Sequence, residues 1–286
     1  MKYNSKKEVQ KRVQEHYDWA VGAGYEVVGV FLQGSWNYSE KLCDDESDVD
    51  TKCLVLPTFE DFCLGKKLVS TTHVMENEEH CDVKDLRLYM NCFKKQNVNF
   101  VEILFTEFYV LNPKYEKLFK PMFENREEVA RYDEKAALNC MVGMAYEKEK
   151  ALEHPYPATK DKIEKYGFDG KQLSHLTRLS EMMVKYVNGV PYELCLKTSM
   201  PEYLLALKRN KLYTLEEAKL FCKTHLENMQ KVRSMYLSNN EVEVNKEVDE
   251  LMNKVVIDCM KENFVSYLER NKQWIKEYLI VYFIII

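Results

Sequence analysis

Glycine and proline are scarce in this sequence, at nine and seven of 286 residues. That scarcity excludes collagen-like and low-complexity classes of protein. Hydrophobic residues make up 46% and charged residues 30%, a balance that permits a buried core and excludes global disorder. The length suits one large domain or two small ones.

An excess of positive charge is also missing, because 46 acidic residues outnumber 41 lysines and arginines and give a net charge of −5. Proteins that bind nucleic acid or anionic membranes through bulk electrostatics are basic. We therefore expect any contact with nucleic acid to come from a local patch of the surface.

Cysteine spacings that mark disulfide scaffolds or zinc sites are missing too. The nine cysteines are odd in number, widely spaced and without a CxxC pair. The N-terminal residues lack the apolar stretch of a signal peptide. We therefore expect reduced thiols and a cytoplasmic protein.

No hydrophobic run is long enough to predict a membrane span. The apolar C-terminal segment, 278–286, reads YLIVYFIII, and its nine residues fall short of the roughly 20 that a helix needs to cross a bilayer. We expect no membrane partner, and we predict that this segment forms a last strand or a docked tail.

Hydrophobic patterning before about residue 125 predicts a mixture of strands and helices. The predicted strands are 25–32, 47–56, 67–75 and 79–83, and the predicted helices are 5–21, 58–64 and 85–95. Segment 100–106 fits either a strand or a helical turn, and its periodicity does not decide between them.

After about residue 125 the strand patterns fade and helical periodicity dominates. The predicted helices are 133–153, 170–188, 201–208, 214–236 and 245–277. The sequence therefore predicts an α/β front half, 1–125, followed by a helical back half, 126–286.

The segment 31–57 holds the residues that point to chemistry. A buried strand leads into Gly34 and Ser35, and twelve loop residues later Asp48 and Asp50 begin a second apolar strand. Because residues two apart share one face of a strand, the two carboxylates are expected side by side. A chance match or a turn residue beside a solvated acid is the simpler interpretation, but it does not explain two charges at the start of so apolar a strand.

Two adjacent carboxylates repel each other, and a hard divalent cation relieves that repulsion. Mg²⁺ takes oxygen ligands, retains waters and completes its shell with substrate phosphates. Gly34 permits close approach of the backbone to a phosphate, and Ser35 offers both a hydroxyl and an amide. The pattern therefore indicates a site for a metal and a triphosphate.

The arrangement of Gly-Ser, a loop and Asp-x-Asp resembles the hallmark of the nucleotidyltransferase superfamily of DNA polymerase beta. More specifically, the sequence resembles predicted nucleotidyltransferases of bacteria and phages that are often associated with RNA ligases. Ser39 departs from that pattern, which usually has Gly after the Tyr of the first motif. The motifs that carry the resemblance are Gly34-Ser35-Trp36-Asn37-Tyr38, Ser47-Asp48-Val49-Asp50, NVNFVEILF at 97–105, and Tyr166-Gly167 followed by Lys171, His175, Arg178 and Leu179.

The resemblance, which covers roughly residues 25–190, implies an α+β fold. A nucleotidyltransferase-type mixed sheet with flanking helices would form the catalytic domain at 1–125. An all-helical domain at 126–286 would close the nucleotide cleft. We leave the oligomeric state open.

The resemblance also implies a third carboxylate on a neighbouring strand, usually the base that activates the attacking hydroxyl. Asp82 is the best match. Asp85 competes with it, but a helix N-cap explains that residue better, and Glu79 is weaker still. Two Mg²⁺ ions, or Mn²⁺ in their place, would then be held by Asp48, Asp50 and Asp82.

Lys171, His175 and Arg178 share one helix face, because their spacing is i, i+4 and i+7. A solvated basic face is the simple explanation. A clamp on the triphosphate is the functional one, since a planar guanidinium suits phosphate, and the resemblance favours it. The lysines of the preceding helix, Lys135, Lys148 and Lys150, have no such support.

Three further residues have competing interpretations. Glu102 lies in an apolar segment, and we predict a buried acid that pairs with a helix rather than a ligand. Trp36 and Tyr38 fit either stacking on a base or packing of the loop.

The resemblance implies an enzyme that moves NMP from a nucleoside triphosphate such as ATP to an acceptor hydroxyl, with release of pyrophosphate. An RNA or tRNA end, a protein hydroxyl and a small molecule such as an aminoglycoside remain alternative acceptors. The alternatives of another class are a non-catalytic nucleotide-binding protein and a helical interaction protein. The presence of Gly34, Ser35, Asp48 and Asp50 argues against loss of catalysis.

Overall fold

A mixed β-sheet forms the centre of the front half in this computed structural model, which describes residues 5–43, 47–157 and 159–285. Within those ranges the sheet has five strands in the order β3-β4-β2-β1-β5. Strands β2 and β4 are parallel, and the other neighbours are antiparallel. The strands are β1 (Glu26–Leu32), β2 (Thr51–Leu56), β3 (Ser70–Val74), β4 (His80–Asp85) and β5 (Tyr109–Leu111).

Helices flank this sheet. Helix α1 begins after Ser5, whose side chain accepts a hydrogen bond from the amide of Glu8, and it buries Val9 and Val13 against the sheet. The helices of this half are α1 (Lys6–Gly22), α2 (Ser35–Tyr38), α3 (Phe59–Cys63), α4 (Leu86–Lys94), α5 (Val98–Val101), α6 (Glu116–Glu124) and α7 (Arg126–Ala130). Short 3₁₀ turns follow at Glu40–Leu42 and Glu102–Phe105.

The back half is helical. Its helices are α8 (Glu134–Ala151), α9 (Lys160–Tyr166), α10 (Gly170–Val187), α11 (Tyr192–Leu196), α12 (Pro201–Lys208), α13 (Leu215–Asn239) and α14 (Lys246–Ile285). The prediction of an α+β fold, with a mixed sheet, flanking helices and a helical C-terminal half, is confirmed. Among the described residues, no helix has both the length and the apolar composition needed to cross a membrane.

Several predicted elements differ from the structure. Of the two alternatives predicted for the C-terminal segment, the last strand is wrong for residues 278–285, because α14 continues as a helix to Ile285, and the docked tail stays a prediction. A helix that is already nucleated extends at little further cost. Residues 100–105 are helical, which decides between the two alternatives for segment 100–106 in favour of a helical turn. Strand β2 begins at Thr51 rather than Ser47, so Asp48 and Asp50 immediately precede the strand.

Two apolar clusters enclose the sheet. Along β1, Val28 and Phe31 belong to one cluster, and Val30 and Leu32 belong to the other, beneath α1. The first cluster continues from the sheet through α8, α10 and α13 into α14. The boundary between domains at residue 125 stays a prediction, and this cluster crosses it.

Candidate functional site

A cavity of about 260 Å³ lies between the sheet and the helical half. Gly34, Ser35, Asp48 and Asp50 line it from the front half. Helices α8, α10 and α12 supply the opposite wall, with Met144, Lys148, Lys171, Ser174, His175, Arg178, Leu179, Leu204 and Lys208. The remaining lining residues are Gln33, Tyr38, Leu42, Ser47, Asn99 and Glu102. The cavity thus brings together the two sets of residues that the sequence marks separately.

Gly34 makes the sharp turn from β1 into the short helix α2. Its φ of 93° and ψ of −150° lie in a region that residues with a Cβ rarely adopt. The side chain of Asn37 donates a hydrogen bond of 3.0 Å to the carbonyl of Leu32, which closes the turn. Ser35, the first residue of α2, consequently lies at the cavity wall.

Glu102 stabilises this turn through two hydrogen bonds. It is 1% exposed, and its Oε1 accepts a hydrogen bond of 3.2 Å from the amide of Gly34. Its Oε2 accepts a hydrogen bond from the hydroxyl of Tyr38. Burial raises the pKa of Glu102, and the Tyr38 hydroxyl and the charge of Arg178 offset only part of that effect. The prediction that Glu102 is a buried acid paired with a helix is confirmed.

The contact with Glu102 changes the role expected of Gly34. Its amide already donates to a carboxylate, so in this conformation it is not directed at a phosphate. Gly34 instead provides the backbone conformation that brings Ser35 to the cavity. Of the two residues of this turn, Ser35 stays the predicted phosphate contact.

Asp48 and Asp50 reach solvent on either side of the buried Val49. A backbone hydrogen bond of 3.0 Å from Gln33 to the carbonyl of Asp50 joins the end of β1 to this segment. Asp50 Oδ1 accepts a hydrogen bond of 2.9 Å from the amide of His80 and lies 3.3 Å from His80 Nδ1. The alternation around Val49 places both carboxylates at the cavity.

The two carboxylates could hold a divalent cation if waters and phosphate oxygens supplied its other ligands. In the part of the chain that the structure describes, no three His, Cys, Asp or Glu side chains converge on a common point. Mg²⁺ accepts one or two carboxylates when waters and phosphate oxygens complete its shell. Asp48 and Asp50 therefore suit a shared metal–phosphate site better than a site for metal alone.

Asp82 lies away from the cavity. In the β2–β4 ladder it stands opposite Lys52, whose Nζ lies 2.7 Å from its Oδ2. Its Oδ1 accepts a hydrogen bond of 2.5 Å from the hydroxyl of Thr72. Burial is the largest single effect on this carboxyl and opposes its ionisation, but the charge and hydrogen bond of Lys52 and the hydrogen bond of Thr72 together outweigh it, so the pKa of Asp82 is lowered. The register places His80, rather than Asp82, beside Asp50.

Asp85 is a helix cap, as predicted. It is 1% exposed, and its Oδ1 accepts a hydrogen bond of 2.9 Å from the amide of Arg87 at the start of α4. The guanidinium of Arg87 pairs with the same carboxylate at 2.7 Å. These contacts leave Asp85 with a structural role at the far end of β4.

The predicted basic residues Lys171, His175 and Arg178 all line the cavity. Arg178 is 5% exposed, which does not fit a solvated face. Its guanidinium carbon lies 3.7 Å from the centroid of the Tyr38 ring. Its Nη1 atom is buried and has no hydrogen-bond partner among the described residues. A buried donor of this kind calls for an acceptor.

Positive charge is concentrated on this wall. Burial, with the charges of Arg178 and Lys171, holds the pKa of His175 well below its ordinary value. Burial lowers the pKa of Lys148, and the charges of Lys171 and Arg178 lower it further. Basic groups that lower one another's pKa around one cavity are the electrostatic arrangement expected of an anion-binding site.

The sequence interpretation missed Lys148 and Lys208. They lie on α8 and α12, and they reach the cavity only because both helices pack against α10. Their spacing along the chain carries no pattern that separates them from solvated lysines. Trp36 packs edge-on to Phe108 and does not line the cavity, whereas Tyr38 lines it beneath Arg178.

No family model and no curated protein matches the sequence. Among solved structures, the chain is similar to a nucleotidyltransferase-like protein from Exiguobacterium sibiricum 255-15. The sequence identity is 13% and the TM-score 0.29, over 90% of this chain and 91% of that one.

Proposed function

We propose that this chain is a nucleotidyltransferase that depends on a divalent metal and transfers NMP from a nucleoside triphosphate to an acceptor hydroxyl. One observation carries the proposal: a single cavity combines Ser35, the carboxylates of Asp48 and Asp50, and a buried guanidinium with an unpaired donor. Acids that hold a metal and cations that hold phosphates are both needed for this chemistry.

Each wall of the cavity has its own task. The hydroxyl of Ser35 and the cations Lys148, Lys171 and Arg178 would hold and neutralise the triphosphate. Asp48 and Asp50 would hold divalent cations. The family resemblance implies two such ions. Bound there, such ions supply charge neutralisation at the reacting phosphate. Asp82 is not a metal ligand in this proposal, because its carboxylate is paired with Lys52.

The reaction is an in-line displacement at the α-phosphorus. The acceptor hydroxyl releases its proton to solvent water, and its oxygen forms a bond to the α-phosphorus. The bond from the α-phosphorus to the oxygen that bridges to the β-phosphate breaks, and pyrophosphate leaves. The protein contributes positioning and charge stabilisation, as is usual for transfers at phosphorus.

As acceptor we propose an RNA or tRNA end. The resemblance to proteins associated with RNA ligases supports it, and a single end needs only the short basic wall rather than a basic protein. A protein hydroxyl and a small molecule are the alternatives. A non-catalytic protein would bind nucleotide at the same cavity and transfer nothing.

The test is transfer of label from each of the four α-³²P-labelled nucleoside triphosphates, with Mg²⁺ or Mn²⁺. Total RNA, total protein and a small-molecule extract serve as acceptors in separate reactions. Removal of the label by ribonuclease or by protease identifies the acceptor. The Asp48→Asn and Asp50→Asn proteins are the controls, and each is expected to fold and to transfer nothing.

Four outcomes are informative. Labelled RNA would support the proposed acceptor. Labelled protein or a labelled small molecule would show that the acceptor is of that class instead of RNA. Thermal stabilisation by a nucleotide without transfer to any fraction would indicate a binding protein. Absence of both stabilisation and transfer would overturn the proposed function.

A further inference from the structure

A buried polar network contacts the segment Asp48-Val49-Asp50 outside the cavity lining. Its centre is Glu79, which is 0% exposed and immediately precedes β4. Glu79 Oε1 accepts a hydrogen bond of 3.3 Å from the amide of Val49. Its Oε2 accepts one of 2.9 Å from Arg12 Nε in helix α1. A side chain of α1 is thereby linked to the backbone between the two carboxylates.

His16 makes a second link from the same helix. It is 0% exposed, with Nε2 3.2 Å from Glu79 Oε2 and Nδ1 2.7 Å from Thr51 Oγ1. Burial opposes its charged form, but contacts with Cys81 and Glu79 outweigh burial, so the pKa of His16 is raised. Asp50 therefore lies between two anchored residues, Val49 and Thr51.

Burying so many polar groups needs a reason. Val9, Val13 and Ala20 already pack α1 against the sheet, and apolar residues in place of buried ion pairs often leave stability unchanged or increase it. The amide of Val49 is different, because residues 47–50 precede β2 and lie outside the sheet ladder. A buried amide there requires an acceptor, and Glu79 supplies it.

We propose that Glu79, held by Arg12 and His16, is a positioning residue that fixes the separation of the Asp48 and Asp50 carboxylates through the amide of Val49. This inference rests on the proposed function of the cavity. Groups that orient metal ligands without touching the metal typically contribute 10–100-fold to metal affinity. We expect Glu79 to act on the metal and not on the nucleotide phosphates, which the other wall contacts.

The test uses the Glu79→Gln protein, which keeps an oxygen for Val49 but loses the charge that pairs with Arg12. Mn²⁺ affinity is measured by electron paramagnetic resonance of the free ion, and nucleotide affinity is measured separately in EDTA. We expect Mn²⁺ binding weaker by about 10-fold or more. We expect nucleotide affinity in EDTA to match that of the wild type. Loss of structure alone would weaken both affinities.

Asp85→Asn is the matched control. Asp85 is also a buried carboxylate of this region paired with an arginine, but its partner is Arg87 and it does not contact Asp48-Val49-Asp50. Its variant should lose thermal stability and keep the Mn²⁺ affinity of the wild type. If Glu79→Gln does not fold, Arg12→Gln replaces it, since Arg12 is only partly buried.

The outcomes separate this inference from the function on which it rests. A folded Glu79→Gln or Arg12→Gln protein with wild-type Mn²⁺ affinity would overturn the positioning role. Equal losses in the Asp85→Asn protein would overturn it as well. If the wild type binds no Mn²⁺, with or without nucleotide, the proposed function itself fails.

Discussion

Arg178 is a charged residue that the fold keeps almost entirely out of water. Its guanidinium stacks on Tyr38, and a cation on an aromatic ring recovers part of the lost hydration. The buried Nη1 still lacks an acceptor among the described residues. A bound phosphate would complete its hydrogen bonds, so nucleotide affinity should depend strongly on this side chain.

Replacing Arg178 by Ala should weaken nucleotide binding by about 1.5–3 kcal/mol, the usual contribution of a hydrogen bond to a charged group. Arg178→Lys should restore only part of the loss, because an ammonium cannot form the paired contacts of a guanidinium. Titration calorimetry across a range of salt concentrations measures both effects. Lys150→Ala, on α8 but outside the cavity lining, should change nothing. Wild-type affinity of Arg178→Ala at every salt concentration would contradict the clamp.

Glu102 should make stability depend on pH. Its folded-state pKa is raised above the ordinary value of 4.5 by burial, so the protonated form favours folding. The resulting stabilisation is complete below the unfolded pKa and is lost as pH rises through the raised folded pKa. Relative to Glu102→Gln, which cannot ionise at this position, the wild type should therefore lose free energy of unfolding as the pH rises from the unfolded pKa of Glu102 through its raised folded pKa. Urea unfolding of both proteins at a series of pH values measures the difference, and parallel pH profiles would contradict it.

At the scale of elements, patterns that are local in sequence proved predictable. Strand β1, helix α10 and the cap at Asp85 follow from hydrophobic spacing and one polar residue. Strand β5 was missed, because its three residues are too few for a hydrophobic pattern and form a strand only by pairing with β1. The tail strand was wrong, because hydrophobicity alone does not distinguish a strand from the end of a long helix.

The same distinction applies to the candidate site. Ser35, Asp48 and Asp50 meet at the cavity as expected, since one strand and one turn position them. Lys148 could not be predicted, because tertiary packing of α8 brings it there. The position of Asp82 depends on the register between β2 and β4, which no local pattern specifies.

Helix α14 is attached to the front half by a buried hydrogen bond. Asn263 is 4% exposed, and its Nδ2 donates a hydrogen bond of 2.9 Å to the carbonyl of Pro57, just after β2. Asn263→Ala should lower the free energy of unfolding by about 1–3 kcal/mol, because a buried carbonyl loses its donor. Nucleotide affinity should not change. Exposed Asn253→Ala on the same helix is the control, and equal effects in chemical denaturation would contradict this role.

For the whole molecule, the apolar cluster shared by the sheet and the helical half contains most of the buried hydrophobic side chains among the described residues. It includes Phe31 and Leu54 from the sheet, Met183 from α10 and Met252 from α14. A fragment cut at residue 125 would expose the surface that these helices cover. Its separate folding is therefore not expected, although the sequence marks a change of character at that point.

Fragment 1–125 should lack native near-ultraviolet circular dichroism and should bind a dye specific for exposed apolar surface. The intact chain should show neither property before its thermal transition. Cooperative unfolding of the fragment, with native dichroism, would contradict this expectation. That result would establish 1–125 as an independent domain.

The bond between Asn263 and Pro57 joins residues 206 positions apart. Ribosomes add about 5–20 residues per second, so Pro57 waits on the order of 10–40 s for its partner during synthesis. The carbonyl that follows strand β2 therefore gains its buried partner only late in synthesis. Until then the end of strand β2 lacks the cover of α14, and we expect chaperones that shield apolar surface to bind the growing polypeptide.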